Sequence, residues 1–194
     1  MKAVIPVAGV GTRLRPHTYT QPKPLIPVAG KPLIASIIDQ LVSDGGITEF
    51  ILVIGYLGDK MRNYIEDRYP HLDITFVYQE ARLGLGHAMY MAISSFEDSE
   101  EVLIVLGDTI FEGNLKALLK QPHSCLGVKK VDDPREFGVV EVGDDGYINR
   151  VVEKPRIPKS NMALVGLYKI SDVGILVEAL KYIVTNNVLT IDEY

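Results

Sequence analysis

The chain has 194 residues, enough for one domain whose core needs neither disulfides nor a structural metal. It is 47% hydrophobic and 23% charged, ordinary globular values, and a formal net charge of -5 argues against general nucleic-acid binding, which needs a broad basic field. The single cysteine, Cys125, excludes an internal disulfide and offers no paired thiols to a metal, so a cytoplasmic setting is expected.

The chain opens with KAVIPV (residues 2–7), read as a buried strand: Pro6 interrupts the apolar run and Thr12-Arg13 follow it, unlike a signal peptide. No run reaches transmembrane length. PLIASIIDQLVSDGG (32–46) has apolar positions at helical spacing and a double-glycine stop, which predicts a helix. EFILVIG (49–55) is a second strand, GDKMRNYIEDRY (58–69) a helix, DITFVYQ (73–79) a strand, GLGHAMYMAISSF (84–96) one helix and EEVLIVLGD (100–108) a strand. Strands without clean alternation, separated by helix-length segments, predict a parallel sheet covered on both faces.

After Asp108 the rhythm changes. NLKALLK (114–120) reads as a short helix, SCLGVKKV (124–131) as a strand, and GVVEVGDDGYINRVVEK (138–154) as a hairpin turning on Asp145-Gly146, a pair suited to primed turns. MALVGLYKI (162–170) is a strand and VGILVEALKYIV (173–184) a helix. The expected fold class is α/β, a doubly wound and mostly parallel sheet with a late antiparallel element, in a single domain over residues 1–194. No repeat or linker interrupts it. The sequence closes on Leu189-Thr190-Ile191-Asp192-Glu193-Tyr194 without a helix-stop signal, as though another element follows.

Between the first strand and the first helix, AGVGTRLRPHTYTQPKP (8–24) concentrates glycine and positive charge in a net-acidic chain. A loop leaving the C-terminal edge of the first strand is where an open α/β sheet binds its ligand. Gly9 and Gly11 let backbone N–H groups approach an anion and make positive φ available. Arg13 can fork onto phosphate oxygens, and Lys23, between Pro22 and Pro24, offers a point charge on a stiffened backbone. Leu14 stands where a Rossmann fingerprint has its third glycine, and no Gly-Lys-Ser/Thr of a Walker A loop follows. The combination points to a polyphosphate ligand.

Other candidates lie at later strand ends. Asp108, in Leu-Gly-Asp-Thr, is placed for Mg²⁺ at the same sheet edge, with a turn or helix-cap role as the bland alternative. Gln79 follows DITFVY and Gly84 opens the next helix; an amide carries both a donor and an acceptor for a base edge. Glu153 and Lys154 end YINRVVEK before Pro155, where a strand-end ion pair is the alternative. His17, His71, His87 and His123 share no ligand spacing, and His87 is given no role beyond the first turn of a helix. Cys125 is read as a small buried hydrophobe. No Gly-x-Ser-x-Gly or His-Glu-x-x-His supports a hydrolase.

GVGTRLRPHTYTQPKPLIPVAGKPLI, YQEARLGLGHA, VLGDT, FGVVEV and VEKPRIPKSNMALVGLY together resemble, in order, the motifs of the sugar-1-phosphate nucleotidyltransferases, and they cover nearly the whole chain. The spacing from Glu153 through Ser160-Asn161 to Gly166-Leu167-Tyr168 looks most like the glucose-1-phosphate thymidylyltransferases. Leu-Gly-Leu-Gly-His-Ala is similar to UDP-glucose pyrophosphorylases, so the base stays open between thymine and uracil. The resemblance implies a Rossmann-like nucleotidyltransferase fold and transfer of a nucleotidyl group from a nucleoside triphosphate to a sugar 1-phosphate, releasing pyrophosphate. It implies catalytic roles for Arg13, Lys23 and Asp108, with Mg²⁺ on Asp108. Nucleotide contacts fall on Ala8, Gly9, Gly11, Thr12, Arg13, Gln79 and Gly84. Sugar-phosphate contacts fall on Gly138, Glu153 and Lys154, and more weakly on Leu164 and Gly166. Cytoplasmic nucleotide-sugar and polysaccharide synthesis, without membrane or nucleic acid and often in homo-oligomers, follows from the family. So does a second metal-binding aspartate downstream of Asp192-Glu193-Tyr194, so the chain is expected to lack the family's C-terminal portion.

The implied chemistry needs no strong base, because a sugar 1-phosphate already carries an anionic oxygen. The protein must align that oxygen with the α-phosphorus, offset repulsion between anions and stabilise departing pyrophosphate. Alternatives are a UDP-glucose pyrophosphorylase, a mannose-1-phosphate guanylyltransferase, or a cytidylyltransferase or molybdenum-cofactor guanylyltransferase on a similar fold. EKPRIPKSNMALVGLY, like a hexose-phosphate pocket, argues against the last two. A non-catalytic nucleotide-sugar-binding module is the reading from another class.

Overall fold

A computed structural model describes residues 1–189; residues 190–194, on which the expectation of a continuing element rests, lie outside the described residues. The elements run β1 (Lys2–Pro6), β2 (Pro27–Val28), β3 (Lys31–Pro32), α1 (Leu33–Gly45), β4 (Glu49–Ile54), α2 (Gly58–Arg68), β5 (Asp73–Tyr78), α3 (Leu85–Met91), α4 (Ile93–Phe96) and β6 (Val102–Val105). They continue with α5 (Leu115–Leu119), β7 (Cys125–Lys130), β8 (Gly138–Val142), β9 (Ile148–Glu153), β10 (Met162–Ile170) and α6 (Val173–Thr185).

The main sheet has the order β5-β4-β1-β6-β10-β8-β9, with β7 also paired to β10. The β5, β4, β1 and β6 strands are parallel. From β10 onward the pairings are antiparallel, as the change of rhythm after Asp108 predicts. Alternate residues of the central strands feed two cores: Ala3, Ile5, Phe50, Leu52, Leu103 and Val105 face one side, and Val4, Ile51, Val53, Val102 and Ile104 the other. The first core is closed by α1 and α2, the second by α3, α4 and α6. Two buried faces explain why these strands read as unbroken apolar runs.

Local chemistry sets the element ends. The α1 helix buries Leu33, Ile34, Ala35, Ile37, Ile38 and Leu41 and stops at Gly46, whose φ of 66° lets its N–H reach the Val42 carbonyl at 3.0 Å. Asp172 caps α6 by accepting from the Ile175 N–H at 3.1 Å. The segment expected as one helix over residues 84–96 is two, because the Ala92 N–H bonds back three residues to Met89 and tightens the turn. That bend keeps Met89, Ala92, Ile93 and Phe96 all on one core.

The hairpin also differs in detail from its prediction. The Gly146 N–H bonds the Gly143 carbonyl at 3.0 Å, and positive φ occurs at Gly146 (81°) but not at Asp145. The connection is therefore a four-residue turn closed by a left-handed glycine rather than a primed turn on Asp145-Gly146, and the β8–β9 register slips between Glu141 and Val142 to match. Cys125 is half-buried rather than buried, with its thiol donating to the His123 carbonyl at 3.3 Å.

The β10 strand is bent. Its C-terminal half pairs with β6, while beyond a register shift between Leu164 and Tyr168 its N-terminal half lies beside β8 instead. Gly166, at φ 79°, sits at the bend and accepts from the Leu106 N–H at 2.8 Å. The sheet thus opens immediately past the end of β6.

Candidate active site

The parallel strands end together on one edge. The chain leaves β1 toward α1 on one face, whereas β5 returns to β6 through α3 and α4 on the other, which makes the gap between β1 and β6 a topological switch point. A cavity of about 540 Å³ lies there. Of the residues singled out by sequence, Ala8, Gly9, Gly11, Thr12, Lys23, Gln79, Gly84 and Asp108 all line it.

The basic loop is ordered by its own short side chains. It folds as three single 3₁₀ turns, Thr12–Leu14, His17–Tyr19 and Lys23–Leu25. Buried Thr18 donates its hydroxyl to the Gly11 carbonyl at 2.9 Å, which draws the loop back on itself. Gly11 has φ 67°, and a Cβ there would lie 3.0 Å from both the Lys23 Cβ and the Thr18 Cγ2. Gly9 is different: it is exposed, and nothing lies within 4 Å of where its side chain would be. Lys23 is carried by a turn whose Pro24 and Leu25 are buried, so its backbone is anchored while its ammonium is free to reach the cavity.

That ammonium meets Asp108 across the switch point, Nζ to Oδ2 at 2.5 Å, with both side chains partly exposed. Asp108 gets there because of Gly107: a Cβ at 107 would collide with Val7 Cγ1 and sit 3.0 Å from the Pro6 carbonyl, so only glycine lets the end of β6 cross so close to β1. Gly55 does the same between β4, β1 and β5, where a Cβ would lie 2.9 Å from the Gln79 carbonyl. Among the described residues no group of three or more His, Cys, Asp or Glu is placed to hold a metal. A lone carboxylate beside a glycine-rich, basic loop would fit Mg²⁺, which takes one or two protein oxygens and completes its shell from phosphate and water.

On the far side of the cavity Gln79 is buried, and its Nε2 donates to the Gly84 carbonyl at 3.0 Å and meets His87 Nδ1 at 3.0 Å. Gly84 takes φ 94° to start α3 at this point. His87, given no role from sequence, stands behind Gln79 without itself lining the cavity, whereas Arg82, which lines the cavity and lies over the Tyr56 ring, was not singled out at all. The signal for His87 was its spacing, three residues after Gly84 on a helix that faces the end of β5. Arg13 is exposed in the first 3₁₀ turn and is not among the residues lining the cavity.

The remaining candidates gather on the antiparallel half. Gly138 and Glu153 are paired across β8 and β9, and a Cβ at 138 would be 3.0 Å from both Glu153 Oε2 and Leu164 Cδ1. These three residues thus meet at one point where glycine leaves room. Lys154 holds φ 41°, a left-handed conformation unfavourable for a residue with a side chain, while its N–H donates to the Phe137 carbonyl at 3.0 Å. Its Nζ is 3.9 Å from Glu153 Oε1. Tyr168 connects the two groups: burial first, then the Glu153 and Asp108 carboxylates, push its phenol above the usual value. One ring therefore lies within electrostatic reach of both carboxylates. Gly166 packs against Thr109, whose buried hydroxyl donates to the Val165 carbonyl at 2.9 Å and ties the loop after Asp108 to β10.

Residues 2–188 match a family model described as nucleotidyl transferase. The bifunctional protein GlmU of Methanococcus vannielii is 37% identical over 178 residues, which cover 89% of this chain and 41% of that relative. The UTP–glucose-1-phosphate uridylyltransferase AglF of Haloferax volcanii is 36% identical, over 87% of this chain and 71% of AglF. A solved structure from Bacillus anthracis, described as a glucose-1-phosphate thymidylyltransferase in complex with a sucrose, has a TM-score of 0.79 at 27% identity, covering 91% of this chain and 73% of that one. The chain thus spans less than half the length of the GlmU relative.

Proposed function

Because the chain belongs to the nucleotidyl transferase family, we propose that its cavity takes a nucleoside triphosphate and that the chain transfers the nucleotidyl group to a sugar 1-phosphate, with dTTP or UTP and glucose 1-phosphate as the favoured pair. The observation that carries this is the meeting of the glycine loop, Lys23, Gln79 and Asp108 around one cavity at the switch point, with Glu153 and Lys154 displayed on the adjoining antiparallel strands.

The residues divide the work by position. The exposed backbone at Gly9 and the turn at Gly11 cradle the triphosphate, and Lys23 neutralises charge on the α-phosphoryl and the leaving pyrophosphate. Arg13, from the rim of the loop, reaches the outer phosphates as a fork of donors. Gln79 and Gly84 take the base. Gly138, Glu153 and Leu164 take the sugar, with the carboxylate accepting from hydroxyls, and Lys154 holds the sugar phosphate so that its oxygen attacks opposite the pyrophosphate. Asp108 would hold Mg²⁺, which when bound would supply positive charge that lowers the cost of bringing two anions together. No helix among the described residues is long and apolar enough to cross a membrane, and a cytoplasmic reaction on dissolved substrates is the setting we assign.

The test is formation of nucleotide sugar from glucose 1-phosphate and dTTP or UTP with Mg²⁺, followed by ³¹P NMR. Lys154→Ala should raise KM for the sugar phosphate about tenfold or more, as loss of a charge-assisted contact would, while KM for the nucleotide stays the same. Equal changes in both would remove Lys154 from the sugar-phosphate site.

A further inference from the structure

We propose that His87 is a positioning residue for base selection: it locks the Gln79 amide so that the cavity offers the base a hydrogen-bond acceptor and no donor. The proposal rests on reading the cavity as the nucleotide site. The amide's orientation is fixed by its surroundings. Gln79 Nε2 lies 3.0 Å from the Gly84 carbonyl, and the reversed amide would set two oxygens against each other. With Nε2 in that place, its second proton points at His87 Nδ1, also at 3.0 Å, so the imidazole accepts there and carries its own proton on Nε2.

Both amide protons are then engaged, one by a backbone carbonyl and one by His87. What remains is Oε1. No hydrogen bond to it occurs among the described residues, and none of their buried side-chain oxygens lacks a partner, so Oε1 opens onto the cavity that Gln79 lines. An acceptor at this point takes a base with a ring N–H on its pairing edge, as uracil, thymine and guanine have. Cytosine and adenine present a lone pair there, and two acceptors would face each other with no water between them. Without His87 the amide keeps only the Gly84 tether. The released proton can then turn toward the cavity and serve a base of the wrong pattern.

The test is nucleotide binding to the whole chain by isothermal calorimetry with UTP and CTP, alongside thermal unfolding. The parent should prefer UTP by about a hundredfold or more, since sites built on a hydrogen bond reject ligands that lack the partner strongly. His87→Leu should reduce that preference to about tenfold or less, chiefly by weakening UTP. His87→Asn should restore most of it, because the Asn Oδ1 can occupy the position of Nδ1 and accept the same proton. Glucose 1-phosphate binding should not change in either variant, which separates lost positioning from general loosening. An unchanged UTP:CTP ratio in folded His87→Leu would overturn this role for His87 and leave the nucleotide site standing. A parent chain that binds neither nucleotide would overturn the nucleotide site and this role together.

Discussion

Lys23 and Asp108 face each other at 2.5 Å with a third to a half of each side chain exposed, an arrangement worth little to folding. An ion pair so open to solvent contributes about 0.2–1 kcal/mol, so stability is a poor reason for it. Under the proposed function each would act on a polyphosphate that enters between them. Lys23→Ala and Asp108→Asn should therefore each lower kcat by about a hundredfold or more while barely moving the thermal unfolding temperature. A variant with near-parent turnover at saturating Mg²⁺ would remove its residue from the chemistry. Gly107 is the opposite kind of residue, since its whole contribution is to be absent. Gly107→Ala would force a methyl against Val7 and the Pro6 carbonyl, costing about 1–3 kcal/mol by overpacking and moving Asp108 off its position, so both stability and turnover should fall. Unchanged stability in that variant would mean that the strand ends are looser than their packing indicates.

Secondary-structure elements are tied together away from the cavity by one carboxylate. Asp39 on α1 accepts from Tyr69 at 2.7 Å, pairs with Lys31 of β3 at 2.7 Å and lies 3.6 Å from Arg68 at the end of α2. Burial pushes its carboxyl up, but the hydrogen bonds from Lys31 and Tyr69 and the charges of Lys31 and Arg68 outweigh that and hold it below its usual value of 3.8. A carboxyl depressed in the folded chain stabilises it above the unfolded value and loses that contribution as pH falls through the folded one. The melting temperature should consequently drop below about pH 4, and Asp39→Asn should be less stable at pH 7 and less pH-dependent in the acid range. Parallel pH curves for the parent and the variant would contradict this. Element types were legible in sequence because apolar period, double glycines and strand-flanking motifs all agreed. The break at Ala92 and the turn at Gly146 were not, since each depends on a tertiary demand: Phe96 must reach the second core, and the β8–β9 register must slip. His87 escaped for a similar reason, as its partner Gln79 belongs to another element.

Across the whole molecule the sheet joins two kinds of strand, which the proposed function assigns to two kinds of ligand. Parallel strands end together and supply loops with free backbone N–H groups, suited to phosphates; the bent β10 and its hairpin supply a second surface with Glu153 and Lys154. Tyr168 of β10 is paired with Ile104 of the parallel β6 on one side and Leu126 of β7 on the other, where the two kinds of strand join. The glycine loop and Asp108 were readable beforehand because they follow predicted strand ends, and Lys23 because prolines flank it, whereas Gly55 and Gly107, which let those strand ends approach, show their purpose only when the strands are side by side. The most direct measurement is pyrophosphate release by this chain with Mg²⁺ and dTTP or UTP, in the presence and absence of glucose 1-phosphate, run beside Asp108→Asn. Release that depends on the sugar phosphate and is lost in the variant is the predicted result. Pyrophosphate release that ignores the sugar phosphate, or none with either nucleotide, would contradict the assignment of this cavity to nucleotidyl transfer.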